Sequence, residues 1–272
     1  NMNEVIANRA TEILKGKKGT YLVNPNDHVN MSQSTNDTIH SAIHIAALNL
    51  LVDNLQPNLE NLIKILEKKS KDFSEIIKSG RTHLQDAVPI TLGQEFSGYA
   101  QSVRNDLERI KSAGENLREL NLGGTAVGTG INAGRSFRMR VIREINRITK
   151  LNFKPAQNLF EATQSTYAEL HVSGALKSLA VALIKISNDL RLQSSGPVDG
   201  MHELILPSLQ PGSSIMPGKI NPVIPEMVEM SCFQVIGNDT TITLATQESE
   251  LELNTMMPVT AYNLINSIEL LS

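Results

Sequence analysis

Between Thr38 and Ser79 leucine returns every three or four positions, at Leu48, Leu51, Leu55, Leu59, Leu62 and Leu66. A strand alternates with period two, so this spacing commits the segment to a long helix with one apolar stripe. Pro57 lies inside the run and predicts a kink or bend, because proline removes a backbone donor and crowds the preceding turn. A second helix is expected from Val88-Pro89, with Pro89 in its first turn, to about Leu120. A short one fits 136–149. A fourth fits about 162–195, where Leu176, Leu179, Leu183, Ile186 and Leu190 form a heptad seam. Two more fit Pro222 toward Leu244 and 249–271, and a helical pattern already begins at the first residues. With aromatics at 4% and no Trp, the expected fold class is all-α, a bundle of long helices. Ala175, Ala180 and Ala182 lie opposite the leucine seam, so that helix is apolar on more than one side. Such helices must be enclosed by others, including helices of other subunits.

Composition excludes several classes. The 272 residues are 40% hydrophobic, enough for a large core. Net charge is −3 and the pI about 6.1, so neither nucleic acid nor an anionic membrane is an expected partner. Cys232 is the one cysteine; no intrachain disulfide can form, which fits a reducing, cytoplasmic setting or inert burial. Asn36-Asp37-Thr38 and Asn238-Asp239-Thr240 match the glycosylation pattern, but with no secretory signal in sight both are read as chance. The most apolar helix, around 173–190, is interrupted by Lys177 and Lys185, so no bilayer span is expected. The start at Asn1-Met2 and an apolar pattern still running at Leu270-Leu271 lead to the expectation that both ends are cut from a longer chain.

Three polar segments interrupt the helices: 24–38, 79–95 and 196–222. The last contains Gly212-Ser-Ser-Ile-Met-Pro-Gly-Lys-Ile-Asn-Pro222, which gathers two hydroxyls, a cation and an amide within a backbone shaped by glycine and proline. Ser213, Ser214, Lys219 and Asn221 suit an anionic substrate or a developing oxyanion. An ordinary solvated loop has much the same composition. Ser34, Thr35 and Asn36 stand before a helix start; one of them suffices as a cap, and three exceed that need. A helix N-terminus also attracts carboxylates. Thr82-His83 follows Gly80-Arg81, and Glu226 is the candidate partner of His83, which alone is as well read as structural. His40 and His44 share a helical face but lack a third metal ligand nearby. Gly124 to Gly130 is glycine-rich but follows a helix, so it reads as a turn rather than a dinucleotide site.

The loop 212–222, the segment Ser32-Gln-Ser-Thr-Asn-Asp37, and Gly80-Arg-Thr-His-Leu-Gln-Asp-Ala87 with Leu92-Gly-Gln-Glu95 together resemble, in order, the three signature segments of the aspartase/fumarase superfamily. The resemblance covers essentially the whole chain and implies that residues 1–272 are the family's central five-helix domain, with the smaller N- and C-terminal domains absent. It implies a homotetramer with a twenty-helix core, each active site drawing on three subunits. It implies reversible elimination from a four-carbon dicarboxylate to give fumarate, without cofactor or metal.

Carried over by position, Ser213 is the base, with Lys219 and Asn221 binding the carboxylate that takes up the carbanion's charge. Ser34, Thr35, Asn36 and Thr82 bind substrate, and Glu226 pairs with His83 across subunits as the further catalytic residues. A secondary anion site would involve Asn24, Asn26 and Asp27, but Asn24 replaces the His that often precedes Pro-Asn-Asp in the hydratases. The family's upstream Ser/Thr carboxylate-binding segment lies before residue 1. Ser34-Thr35-Asn36, Leu206 to Gly212, Asn221-Pro-Val-Ile-Pro-Glu226, Val235-Ile-Gly-Asn-Asp239 and Leu251-Glu-Leu-Asn254 look closer to aspartate ammonia-lyases; His83, Ser97-Gly-Tyr99 and Gly123-Gly-Thr-Ala126 look closer to fumarate hydratases, although some ammonia-lyases also carry His at the place of His83. The expectation favours L-aspartate to fumarate and ammonia, with L-malate to fumarate and water as the alternative. A structural protein without activity is the alternative of another class; the joint presence of Ser213, Lys219, Asn221, His83 and Glu226 argues against it.

Overall fold

The leucine-spaced stretches are helical in a computed structural model, which describes the backbone of residues 1–272 and every side chain but that of Arg135. Its helices are α1 (Met2–Ile13), α2 (Thr35–Leu50), α3 (Gln56–Asp72), α4 (Leu92–Gly114), α5 (Arg135–Thr149), α6 (Leu159–Gln164), α7 (Tyr167–Gln193), α8 (Val223–Gln247) and α9 (Met257–Leu271). Two small ribbons accompany them: β1 (Ile77–Thr82) pairs antiparallel with β2 (Gln85–Thr91), and β3 (Glu119–Leu120) parallel with β4 (Lys154–Pro155). One turn of π-helix, Leu51–Leu55, precedes Pro57 and provides the predicted irregularity.

The chain forms two compact units. The first comprises 1–49, 116–168 and 245–261. Its polar centre is Asp37 at the start of α2. The buried carboxylate accepts the N–H groups of Ser34 at 3.0 Å, Gly123 at 2.9 Å and Thr125 at 3.0 Å. Burial pushes this carboxyl above its ordinary value, while the N–H donors pull the other way. Asn121 adds to the seam, donating to the Asn36 carbonyl at 3.2 Å and accepting the Ser41 hydroxyl at 3.0 Å. The glycine-rich stretch is the expected turn. At Gly128 φ is +103°, and a Cβ there would lie 2.8 Å from the Phe160 nitrogen.

The second unit comprises 50–115, 169–244 and 262–272. Here α3 packs on α4, burying Leu55, Leu59, Ile63 and Leu66 against Phe96, Val103, Leu107 and Ile110. Phe73, Phe96 and Tyr99 stack edge to face, with centroids 5.3 and 5.5 Å apart. The seam residues Leu176, Leu179 and Ile186 of α7 are buried, as are Val235 and Ile242 of α8. By length and composition α7 would cross a membrane, but Lys177 and Lys185 lie along it and its seam is buried in the unit, which reads as a core helix. Helix α8 carries a long exposed apolar face. Ile224, Met227, Met230, Phe233 and Leu244 remain exposed although Cys232 and Val235 are buried.

Several boundaries depart from expectation; the last helix, expected from 249, begins at Met257. The helix placed at Val88-Pro89 is a strand, and α4 begins at Leu92. Pro89 fits a two-stranded ribbon because its missing N–H costs nothing on an open edge. The true start is a capping box: Thr91 Oγ1 accepts the Gln94 N–H at 3.2 Å, and Gln94 Oε1 accepts the Thr91 N–H at 3.0 Å. The helix expected to reach Ser79 ends at Asp72, where the ribbon takes over: Leu92 N–H donates to the Ile76 carbonyl at 2.8 Å and Gly93 N–H to Phe73 at 3.0 Å. The long helix expected over 162–195 is broken at Ser165-Thr166 into α6 and α7; the Thr166 hydroxyl donates to Thr246 at 2.9 Å and accepts from Asn254 at 3.3 Å. Thr91→Ala, which removes the cap of α4, is expected to lower stability by about 1 kcal/mol in chemical denaturation, with helix content retained.

Candidate active site

Ser213 opens the glycine-rich loop. Its Oγ accepts two backbone N–H groups, from Ile215 and Met216, each at 3.2 Å. Met216-Pro217-Gly218-Lys219 makes a turn in which Lys219 N–H reaches the Met216 carbonyl at 3.3 Å and Gly218 has φ +81°. The loop is cinched at its neck. Gly212 N–H donates to the Lys219 carbonyl at 2.9 Å, and Asn221 Nδ2 donates to the Gly212 carbonyl at 3.0 Å. A Cβ on residue 212 would fall 2.5 Å from the Lys219 oxygen, so glycine is required there. Within the second unit, loop and stem border a cavity of about 680 Å³, with Arg191, His202, Lys219 and Asn221 in its wall.

Thr82 and His83 sit at the tip of the β1–β2 ribbon. Thr82 pairs with Gln85, leaving His83 and Leu84 as a two-residue turn with φ of 54° and 60°. That is the geometry of a tight hairpin turn, usually supplied by Asn-Gly. Two non-glycine residues in the left-handed region are strained, by roughly 1 kcal/mol or more each. The strain projects the imidazole of His83 into solvent, where it makes no hydrogen bond among the described residues.

The stem of the loop is tied to this ribbon by an ion-pair network that composition and spacing had not singled out. Glu203 accepts from Arg81 at 2.7 Å and forms an ion pair with Lys78 at 2.9 Å, and Lys78 also donates to Glu95 at 2.8 Å. The Lys78 side chain is only 8% exposed. Burial alone would raise the Glu203 carboxyl, but Arg81 and Lys78 outweigh it and hold it below the usual carboxylate range. For Lys78 burial is likewise overcome, and the two carboxylates hold the ammonium above its ordinary value. The sequence signal was slight: Glu203 is a lone carboxylate in an apolar run, Leu204-Ile-Leu206 following it.

Glu226 lies in the first turn of α8, with Arg191 at 3.7 Å; that guanidinium is held more closely by Glu229 at 2.6 Å. Among the described residues of this one chain, Glu226 and His83 do not pair. In the first unit Ser34 caps α2, its Oγ accepting the Asn36 N–H at 3.2 Å, and Asn36 Nδ2 donates to the Ala126 carbonyl at 2.8 Å. Thr35 beside them is exposed. Asn24 Oδ1 takes the N–H groups of Asn26 at 2.8 Å and Asp27 at 3.0 Å, so these amides are already occupied by a side-chain cap. His44 Nδ1 meets the Glu119 carbonyl at 2.8 Å and His40 is buried, so both serve the core. Burial, reinforced by the charge of Glu229, pushes the Cys232 thiol up to about 11, which removes it as a nucleophile at neutral pH.

A family model described as a lyase matches residues 1–237. All 272 residues align at 53% identity with an aspartate ammonia-lyase of Helicobacter pylori, spanning 58% of that protein. A class II fumarate hydratase of Bradyrhizobium diazoefficiens aligns with the whole chain at 52% identity, again over 58% of its length. Among solved structures, a class II fumarase from Schistosoma mansoni superimposes with a TM-score of 0.96 at 40% identity, over 99% of this chain and 60% of that one. The chain thus spans less than two thirds of the relatives it matches.

Proposed function

The chain belongs to the aspartase/fumarase superfamily, and from that premise we propose that the protein eliminates ammonia from L-aspartate to give fumarate. The observation that carries the reading is the pair of amides on Ser213 Oγ. A serine hydroxyl is a poor base. Two N–H donors favour the charged form of the oxygen they contact, so they lower the cost of an alkoxide. Deprotonated, Ser213 takes a proton from the carbon next to the substrate's distal carboxylate. The electron pair moves into that carboxylate, giving an aci-carboxylate, and Lys219 on the same loop supplies a cation for the added charge. The electron pair then returns to form the carbon–carbon double bond, and ammonia leaves from the neighbouring carbon. The proton from carbon remains on Ser213 until solvent removes it.

The remaining residues take their roles in a shared site. Ser34, Thr35 and Asn36 offer donors at a helix start; Thr82 and His83 approach on the strained hairpin tip; Glu226 meets His83 of another subunit. Asn221 contributes by closing the loop neck as well as by facing the substrate. We place these groups together in a homotetramer whose centre is α8. Its exposed Ile224, Met227, Met230, Phe233 and Leu244 supply the apolar face such a core needs. Elimination of water from L-malate is the second reading, favoured by hydratase relatives at about the same identity.

The full-length protein is expected to build up the ultraviolet absorbance of fumarate when given L-aspartate. Absorbance from L-malate alone would assign the hydratase reaction instead, and absorbance from neither would leave the structural reading. Ser213→Ala is expected to lower the rate at least about a hundredfold while the oligomer persists; a near-normal rate would remove Ser213 as the base. Phe233→Asp puts a charge on the exposed face of α8, and light scattering should find species smaller than a tetramer. Unchanged mass would take α8 out of the interface.

A further inference from the structure

The loop that carries Ser213 is held at its stem by two anchors, both within the second unit. The backbone anchor is the Gln193 carbonyl at the end of α7, which accepts the N–H groups of Glu203 at 2.8 Å and Leu204 at 3.1 Å. Gln193 is itself buried, and its Nε2 donates at 3.3 Å to Tyr99, whose hydroxyl donates to Asp189 at 2.8 Å. The side-chain anchor is the Glu203 carboxylate on Lys78 and Arg81 of β1. Arg81 directly precedes Thr82 and His83. One carboxylate therefore fixes the stem of the loop and the base of the hairpin in a single frame.

We propose that Glu203 is a positioning residue: through Arg81 and Lys78 it sets the resting place of the Ser213 loop relative to the Thr82–His83 hairpin. The inference rests on the reading of those two segments as parts of the substrate site. Glu203 touches no reacting atom in this role. A loop held at its stem loses less freedom when it closes on substrate, so less binding energy is spent on ordering it. If the stem is released, that cost returns at the binding step, whereas the chemistry within a closed site is unaltered. The ion pair should therefore act on KM more than on kcat. In the proposed tetramer, where loop and hairpin of one subunit serve different sites, the same bond would hold two sites in register.

The test uses the full-length protein with Glu203→Gln, which keeps the size and loses the charge, and with Arg81→Gln, which cuts only the less buried arm of the network. Both should keep the oligomer and the helical circular dichroism. KM for the substrate should rise about tenfold in Glu203→Gln and by less in Arg81→Gln, which leaves the Lys78 arm in place, with kcat within about threefold in both; the double variant should behave like Glu203→Gln, since Arg81 acts through that carboxylate. A rise in KM that adds up across the pair would overturn the coupling, as would a fall in kcat at constant KM, which would put Glu203 in the chemistry. Limited proteolysis in the absence of substrate should cut the segment 196–222 faster in both variants than in the parent. That readout needs no activity, so it separates failure of this proposal from failure of the lyase reading. Equal cleavage rates would overturn the proposal even if turnover changed. Should Glu203→Gln fail to assemble, Arg81→Gln alone decides by the same two measurements.

Discussion

The long helices carry more apolar surface than one copy of the chain covers, and most of the architecture follows from that imbalance. Helix α8 buries Cys232, Val235 and Ile242 on one side while Met227, Met230 and Phe233 stay exposed on another. Each such side chain, once covered, adds on the order of 1 kcal/mol or more. A helix of this kind suits the inside of something larger, as in the proposed tetramer. Chemistry cannot be placed along such helices without burying unpaired polar groups. It is pushed to their ends and to the segments between them, where all the candidate site residues are found.

Polar segments at helix ends must then be held without a hydrophobic core of their own. The molecule does this with two carboxylates, one buried and one half-buried. In the first unit Asp37 gathers three backbone N–H groups and fastens the glycine-rich turn to the start of α2. In the second unit Glu203 gathers two cations and fastens a long loop to a hairpin. At both, several close partners favour the ionised form and oppose the effect of burial. For Glu203 the partners prevail; for Asp37 burial does, despite its donors.

Much of this was legible in the sequence, and the failures have physical causes. The 3-4 leucine spacing locates α3 and α7 because periodicity reports the buried face directly, and Pro57 marks the irregularity that the π turn provides. The hairpin at 77–91 was misread because Pro89 is equally at home in a first helical turn and on an open strand edge. The Thr91-x-x-Gln94 box, which marks the start of α4, was there to be seen. Composition alone does not separate the loop at 212–222 from an ordinary solvated loop, and Ser213 takes the role of base from the resemblance; what activates its oxygen is not legible, because the Ser213 amides come from residues two and three positions on and only the folded turn aims them. Glu203 was missed because its partners are more than a hundred residues away, and sequence spacing carries no signal for such a contact.

The choice of leaving group belongs to a different layer of the site. Making the carbanion requires a base, a cation and a carboxylate pocket, and those requirements are identical for aspartate and malate. Ammonia and water differ only at the neighbouring carbon, in how many hydrogen bonds the departing atom gives and accepts. Discrimination of that kind comes from a few donors or acceptors left unpaired by the wrong substrate. In the proposed tetramer that carbon is met by groups from a second and third subunit, among them Thr35 and His83, both exposed in the single chain. On the proposed reading, the carbon-acid chemistry comes from one loop of one chain, while the leaving group is met by groups of the assembly. Relatives named for either reaction align with the whole chain at nearly equal identity.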